Sequence, residues 1–151
     1  MDLKQLIKEG LQSTRTMSLA TSVDNKIWNC TIHFYSDDNF NFYWISTPER
    51  RHSQEIAQNK NVAIAVKVHE DTPDAQYVIG ISAEGIAELI EDEEIKKIGT
   101  AYTTKLGKPE SLIADILTGV NPHKFYRFTP TNIVLFDYKN FPDNPRQEIK
   151  V

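Results

Sequence analysis

The spacing of apolar residues divides the chain into a leading helix followed by short strands and short helices. Leu3, Leu6, Ile7 and Leu11 recur at helical spacing, which predicts an amphipathic helix over residues 2–13. After residue 15 the repeat shortens to two, and such alternation is typical of strands. Strands are predicted over residues 16–21, 27–35, 40–46, 62–68, 76–89, 124–128 and 132–138. Further helices are predicted over residues 47–58, 92–105 and 110–117.

The first three strands follow one another closely, with short polar turns between them, which predicts an antiparallel meander. The next helix is predicted to begin with Thr47 as its N-cap, Pro48 at its first position and Glu49 in its first turn. From Asn140 the tail is rich in proline and is predicted to be extended.

Strands outnumber helices, and the two do not alternate as they do in proteins with a parallel sheet. This pattern predicts a mainly β fold with flanking helices, a barrel or a sandwich and not a parallel sheet. At 151 residues the chain suits one domain, spanning residues 1–151. A domain of this size buries roughly two thirds of its extended-chain surface, so it needs no disulfides.

Aromatic side chains are concentrated on the second and third predicted strands, where they occupy both faces. These strands hold seven of the 15 aromatic residues, namely Trp28, Phe34, Tyr35, Phe40, Phe42, Tyr43 and Trp44. One face can fill the barrel, whereas the other needs a cover. The pattern leaves open whether that cover is a partner subunit, a flat ligand or a helix.

The charge balance argues against nucleic acid as a partner. The formal net charge is −4, and the one tight basic group, Arg50-Arg51-His52, suits a single phosphate better than a polyanion. Cys30 is the only cysteine, which excludes an internal disulfide and fits a reducing compartment. No apolar run approaches the roughly 18 residues of a membrane span, and the N-terminus lacks the apolar stretch of a signal peptide. We therefore expect a cytoplasmic protein that does not bind membranes.

A candidate anion site follows the third strand, where the chain runs directly into a capped helix. Arg50, Arg51 and His52 fall in the first turns of that helix, although cations there oppose the helix dipole. The hydroxyl groups nearby belong to Ser46, Thr47 and Ser53. Together with the free N–H groups of a helix start, these side chains favour an anion, and phosphate fits best. A solvated basic surface on an ordinary helix is the alternative interpretation.

Five segments of the chain carry motifs that are similar to those of a known family. They are Met17-Ser18-Leu19-Ala20-Thr21, Phe42-Tyr43-Trp44-Ile45-Ser46-Thr47, Arg51-His52-Ser53, Ile56-Ala57-Gln58-Asn59-Lys60-Asn61-Val62-Ala63 and Gly85-Ile86-Ala87-Glu88. Together they resemble the pyridoxamine 5'-phosphate oxidase-like FMN-binding split-barrel family. The order of elements is similar over about residues 14–138, and similarity of motifs is confined to about 16–63.

The resemblance implies a split β-barrel with flanking helices and Greek-key-like antiparallel strands. It also implies that FMN binds between the two subunits of a homodimer. Ser46 and Arg51 match contacts to the FMN phosphate, and His52 stands where members often have lysine or arginine. The cofactor contacts expected from the resemblance are Ile45, Ser46, Thr47, Arg51, His52 and Ser53 around the phosphate, and Asn29, Cys30 and Thr31 on the strand that carries the isoalloxazine ring. The partner subunit is expected to contribute residues 80–82.

The predicted function is that of an FMN-dependent flavoprotein oxidoreductase acting on a small molecule. True vitamin B6 oxidases end with a Trp and an Arg that this chain lacks in that pattern, so pyridoxine phosphate oxidation is not expected. The alternative is a non-catalytic split-barrel protein that binds haem, a deazaflavin or another ligand. Because a flavin itself performs the hydride and electron transfer, no catalytic side chain is predicted. The histidines show no metal-ligand spacing, and Cys30 is interpreted as a core cysteine.

Overall fold

The computed structural model describes residues 2–151, which form eight strands and four helices. The helices are α1 (Leu3–Gln12), α2 (Arg51–Gln58), α3 (Asp92–Leu106) and α4 (Ser111–Thr118). The strands are β1 (Thr16–Val23), β2 (Lys26–His33), β3 (Tyr35–Ser36), β4 (Phe42–Ser46), β5 (Asn61–His69), β6 (Ile79–Leu89), β7 (Lys124–Asp137) and β8 (Arg146–Lys150). None of these helices has the length and apolar character needed to cross a membrane. The mainly β prediction is confirmed.

The strands form one antiparallel sheet that curls on itself. Its order is β2-β1-β5-β6-β7-β4-β3, and β8 pairs with β7. β1 and β2 form a hairpin whose turn residues, Asp24 and Asn25, both have positive φ, as tight two-residue hairpin turns require. β7 is 14 residues long, and it pairs with β6 along one edge and with β4 and then β8 along the other.

Two apolar clusters hold the structure together. The larger cluster fills the curl of the sheet and includes the fully buried side chains of Ile7, Leu11, Met17, Leu19, Phe34, Phe42, Trp44, Phe128 and Ile133. The smaller cluster lies under α3 and α4, where Tyr43, Tyr102 and Phe125 are buried. Helices therefore cover part of the second aromatic face. A helix was one of the three possible covers, beside a partner subunit and a flat ligand, that the sequence pattern left open.

The predicted meander of the first three strands is wrong, because the strands β2 and β4 do not pair. Within residues 2–151, β2 pairs only with β1, whereas β4 pairs with β3 and β7. Four of the five β4 residues are buried, so this strand needs packing on both faces, and Trp44 stacks on Tyr126 of β7 at 5.7 Å between ring centroids. Most of β2 is exposed, as suits an edge strand. A gap consequently remains between β2 and β4.

Three predicted boundaries are also corrected. The helix predicted from Thr47 begins at Arg51, because the chain first makes a turn in which the N–H of Arg50 donates to the carbonyl of Thr47 at 3.2 Å. The two predicted C-terminal strands are one strand, β7, which continues through a bulge opposite Gly85. The extended tail ends as β8, paired with β7.

Candidate functional site

A cavity of about 550 Å³ occupies the gap between β2 and β4, beside the start of α2. Its wall consists of Trp28, Cys30, Thr31, Ile32, His33, Ile45, Ser46, Thr47, Arg50, Arg51, His52, Tyr102, Lys108 and His123. This wall holds two arginines, one lysine and three histidines, and it contains no carboxylate. Such a one-sided charge distribution favours an anionic ligand.

The first turn of α2 has hydrogen-bond donors without partners in the part of the chain that the structure describes. The N-cap residue, Arg50, has an extended backbone and gives the helix no side-chain cap. In the same turn the hydroxyl of Ser53 is buried, and it has no hydrogen-bond partner among residues 2–151. A helix start with free N–H groups and a neighbouring arginine is suited to bind a phosphate.

His52 is a buried link between α2 and the two strands that flank the gap. Its Nε2 lies 2.8 Å from the Oγ of Ser46 on β4, and its Nδ1 lies 3.6 Å from the Sγ of Cys30 on β2. Burial lowers the pKa of His52, and the nearby charge of Arg50 lowers it further. The imidazole is therefore neutral at neutral pH, and it positions the wall of the cavity instead of adding a cation to it.

Arg51 is held by contacts on two sides. Its Nε donates to the Oε2 of Glu55 at 2.8 Å, and its guanidinium lies 4.3 Å from the ring centroid of Trp28. The other oxygen of Glu55 accepts a hydrogen bond from the Oγ1 of Thr21, also at 2.8 Å. The bonds from Arg51 and then Thr21 hold the pKa of the Glu55 carboxyl below its ordinary value, so Glu55 stays ionised.

Three wall residues come from parts of the chain in which no motif was recognised. Tyr102 lies on α3, and burial raises the pKa of its hydroxyl to about 12, so it remains protonated. Lys108 follows the end of α3. His123 precedes β7, and the pairing of Lys124 with Ser46 carries it to the end of β4. Only the fold brings these residues together, and no local sequence signal marks them.

The ring of His123 has a defined orientation. Its Nδ1 lies 2.7 Å from the Oδ1 of Asn121, which also accepts the backbone N–H of His123 at 2.9 Å. Because a carbonyl oxygen can only accept, Nδ1 carries the proton and donates it. Nε2 is then the ring nitrogen left for a ligand, and it has no partner among the described residues.

Most of the residues predicted to contact a cofactor meet at this cavity. Seven of the nine line its wall: Cys30, Thr31, Ile45, Ser46, Thr47, Arg51 and His52. Asn29 does not, since it lines a groove on the outer face of the sheet instead. Ser53 is buried at the first turn of α2 and is not part of the wall.

Cys30 is partly buried and packs against the larger apolar cluster, in agreement with its interpretation as a core cysteine. Burial raises the pKa of its thiol. The same side chain also forms part of the cavity wall. Among residues 2–151 no group of three or more side chains is placed to hold a metal ion.

A second, wider groove of about 690 Å³ runs across the outer face of the sheet. Its floor is made of small side chains, namely Ser18, Ala20, Ala63, Ala65 and Ser82. Along β5, Val62, Ile64 and Val66 point inward, whereas Ala63 and Ala65 are exposed on the outer face. The groove is bordered by Ile27 and Asn29 of β2, and the cavity is lined by residues of the same strand from Trp28 and Cys30 to His33.

The model of the pyridoxamine 5'-phosphate oxidase family matches residues 3–136. The chain belongs to this family, and its curled sheet with flanking helices is the split β-barrel that the sequence resemblance implied. Among curated proteins no match is found.

Solved structures with the same fold have low sequence identity to this chain. General Stress Protein 26 from Bacillus anthracis is 21% identical, with full coverage of both chains and a TM-score of 0.70. An FAD-binding protein from Mesorhizobium loti is 18% identical, with 88% of this chain and 92% of that one covered and a TM-score of 0.67. A haem-binding protein from Mycobacterium smegmatis is 12% identical, with 94% of this chain and 57% of that one covered and a TM-score of 0.70.

Proposed function

We propose that the protein is a cytoplasmic FMN-binding oxidoreductase that acts on a small molecule. The observation that carries this proposal is the start of α2, where an uncapped helix turn and Arg51 border a cavity whose wall has no carboxylate. The buried, unpartnered hydroxyl of Ser53 lies in the same turn, behind that wall. A phosphate monoester is the ligand group that this arrangement favours. The family resemblance points to FMN, and the FAD-binding neighbour shows that a flavin protein can have this fold.

Different residues of the cavity wall would bind the phosphate and the ring of the cofactor. Arg51 and Ser46 are the residues that would hold the phosphate, while Trp28, Cys30 and Thr31 on β2 offer a surface for a flat ring. A flavin supplies hydride and electron transfer when it is bound. The protein then has to bind, orient and shield it, and no acid or base is required of the wall for the cofactor itself.

We further propose that two copies associate through the outer groove. The exposed alanines of β5 form a flat, small-residue surface, and a two-fold symmetric contact is the commonest way to cover such a face. An obligate dimer of this kind would bury on the order of 2,000 Å². Because β2 separates the groove from the cavity, a partner on the groove would border the same strand that faces the cofactor.

The experiment begins with the visible spectrum of the purified protein, which should show flavin bands that heat denaturation releases as FMN. Arg51→Ala should weaken FMN binding by about 10- to 100-fold, the effect of losing a charge-assisted contact. Riboflavin lacks the phosphate, so its affinity should hardly change. Lys96→Ala, on the exposed side of α3 and ion-paired with Glu93, is the control. A protein that takes up no added FMN would refute the proposal.

Haem is the second candidate ligand, and His123 is the observation that favours it. Histidines that bind a metal commonly donate their other ring nitrogen to an oxygen, and His123 makes this contact with Asn121. The cations of the cavity wall suit the two propionates of haem, and the neighbour from M. smegmatis is a haem-binding protein. Titration with ferric haem decides: an absorption band that His123→Ala abolishes and added imidazole restores would favour haem over FMN.

A further inference from the structure

Arg51 and three neighbouring residues form a closed ring of contacts. Thr21 and Trp28 are directly paired across the β1–β2 hairpin. From this pair, Thr21 donates to Glu55, Glu55 accepts from Arg51, and the guanidinium of Arg51 lies over Trp28. The hairpin therefore contacts Arg51 twice, once directly and once through a carboxylate.

The ring fixes which part of the guanidinium is available. Nε is used by Glu55, and one face of the planar group is covered by Trp28. The two terminal nitrogens have no hydrogen-bond partner among residues 2–151. They are also accessible to a ligand, because half of the side chain is exposed and it lines the cavity. These two nitrogens form the edge that makes paired hydrogen bonds to two oxygens of a phosphate.

Thr21 and Glu55, which support Arg51, are themselves fixed by burial and hydrogen bonds. Thr21 is 2% exposed and Glu55 is 9% exposed, and both oxygens of the carboxylate are engaged. A buried carboxylate without partners would be costly, so the Glu55 side chain has little freedom to turn away. Since Thr21 does not line the cavity and its hydroxyl donates to Glu55, the effect of that hydroxyl on a ligand passes through Glu55 and Arg51.

We propose that the Thr21–Trp28 pair and Glu55 are positioning residues, which present the terminal nitrogens of Arg51 to the phosphate group of the ligand before it binds. The inference rests on the proposed function in that the ligand carries a phosphate monoester. Charge alone is then insufficient, because the ammonium of a lysine in place of Arg51 has no flat face to cover Trp28 and no planar pair of donors to offer beside a bond to Glu55.

The test measures FMN and riboflavin affinities in three variants. Thr21→Val removes the hydroxyl while nearly keeping the shape, and should weaken FMN binding roughly 5-fold, the effect of one lost hydrogen bond. Thr21→Ser keeps the hydroxyl and should restore FMN affinity. Arg51→Lys should lose about 10-fold or more, as a charge-assisted pair is lost. Riboflavin should bind all three variants as tightly as it binds the wild type. The matched control is Thr16→Val, the same substitution at an exposed position on β1.

A second measurement needs no flavin. In the free protein, exchange of the Arg51 Nε proton with water, followed by NMR on protein with labelled arginine, should be slow. It should be faster in Thr21→Val and slow again in Thr21→Ser, and the signal is assigned by its loss in Arg51→Lys.

The outcomes separate this inference from the proposed cofactor. If the wild type binds no FMN, the proposed function fails, and inorganic phosphate followed by ³¹P NMR becomes the probe for the same variants. Phosphate binding that depends on Thr21 would still support the positioning role. Equal losses for FMN and riboflavin, unchanged Nε exchange in Thr21→Val, or no binding of either FMN or phosphate would overturn it.

Discussion

The Nε2 atom of His52 lies 2.8 Å from the Oγ of Ser46, and this contact joins α2 to β4 across the open side of the sheet. The other ring nitrogen reaches Cys30 on β2, so one side chain contacts both strands that flank the gap. Because β2 and β4 share no backbone hydrogen bonds among the described residues, this buried ring is a direct link between them. The family resemblance placed His52 among the phosphate contacts. In the structure His52 is buried, and its observed contacts hold the cavity wall together.

The stability of the protein should depend on the protonation of His52. Burial and Arg50 put its pKa below the ordinary value of 6.5, so the unfolded chain takes up this proton before the folded one does. The stabilisation is complete above pH 6.5 and is lost as the pH falls from there through the lower pKa of the folded state. Urea unfolding at several pH values, in buffers without phosphate, should show this decline for the wild type. A decline of equal size in His52→Gln would contradict the assignment.

Bound FMN should protect Cys30. The thiol forms part of the cavity wall, and burial raises its pKa, so its reaction with a disulfide reagent at pH 7.5 should be slower than that of free glutathione. Saturating FMN should slow the reaction further, because the ligand would cover the sulfur. Absorbance of the released thiolate measures the rate, and Cys30→Ser gives the background. Equal rates with and without bound FMN would place the cofactor elsewhere.

Gly85 should be required for stability, whereas Gly80 on the same strand should not. A Cβ at position 85 would lie 2.1 Å from the carbonyl oxygen of Thr129 and 2.8 Å from the Cα of Pro130, and backbone atoms cannot move away cheaply. Gly85→Ala should therefore cost about 1–3 kcal/mol or more in the free energy of unfolding. At position 80 the nearest atom is 3.6 Å away, so Gly80→Ala serves as the control in the same denaturation experiment. Equal effects would refute the role of the close approach.

The dimer and the cofactor should be linked. Ala65→Arg places a long charged side chain on the exposed face of β5, and should convert a dimer into a monomer in size-exclusion chromatography with light scattering. Ala114→Arg adds the same side chain to the exposed side of α4 and should leave the dimer intact. If FMN touches both subunits, the monomeric variant should also bind it more weakly. A monomer with full FMN affinity would leave only a single-chain site.

Local patterns in the sequence were sufficient for most elements and for one side of the site. Two patterns reflect which side chains face the interior, namely the helical spacing of Leu3 to Leu11 and the alternation along β1, β2 and β5. Both agree with the structure. The segment from Ile45 to His52 is contiguous, so its contribution to one cavity wall follows from local chain direction. The similarity of motifs around it also indicated the family.

The tertiary structure decided what depends on contacts between distant parts of the chain. Strand pairing is set by which faces must be buried, so the sequence neighbours β2 and β4 are separated while β4 pairs with β7, some 80 residues later. The same long-range pairing brings His123 to Ser46, and the folding of α3 brings Tyr102 and Lys108, none of which has a local signal. The bond from Thr21 to Glu55 likewise spans 34 residues. Such contacts arise from the packing of whole elements, which the order of residues along one strand or helix does not encode.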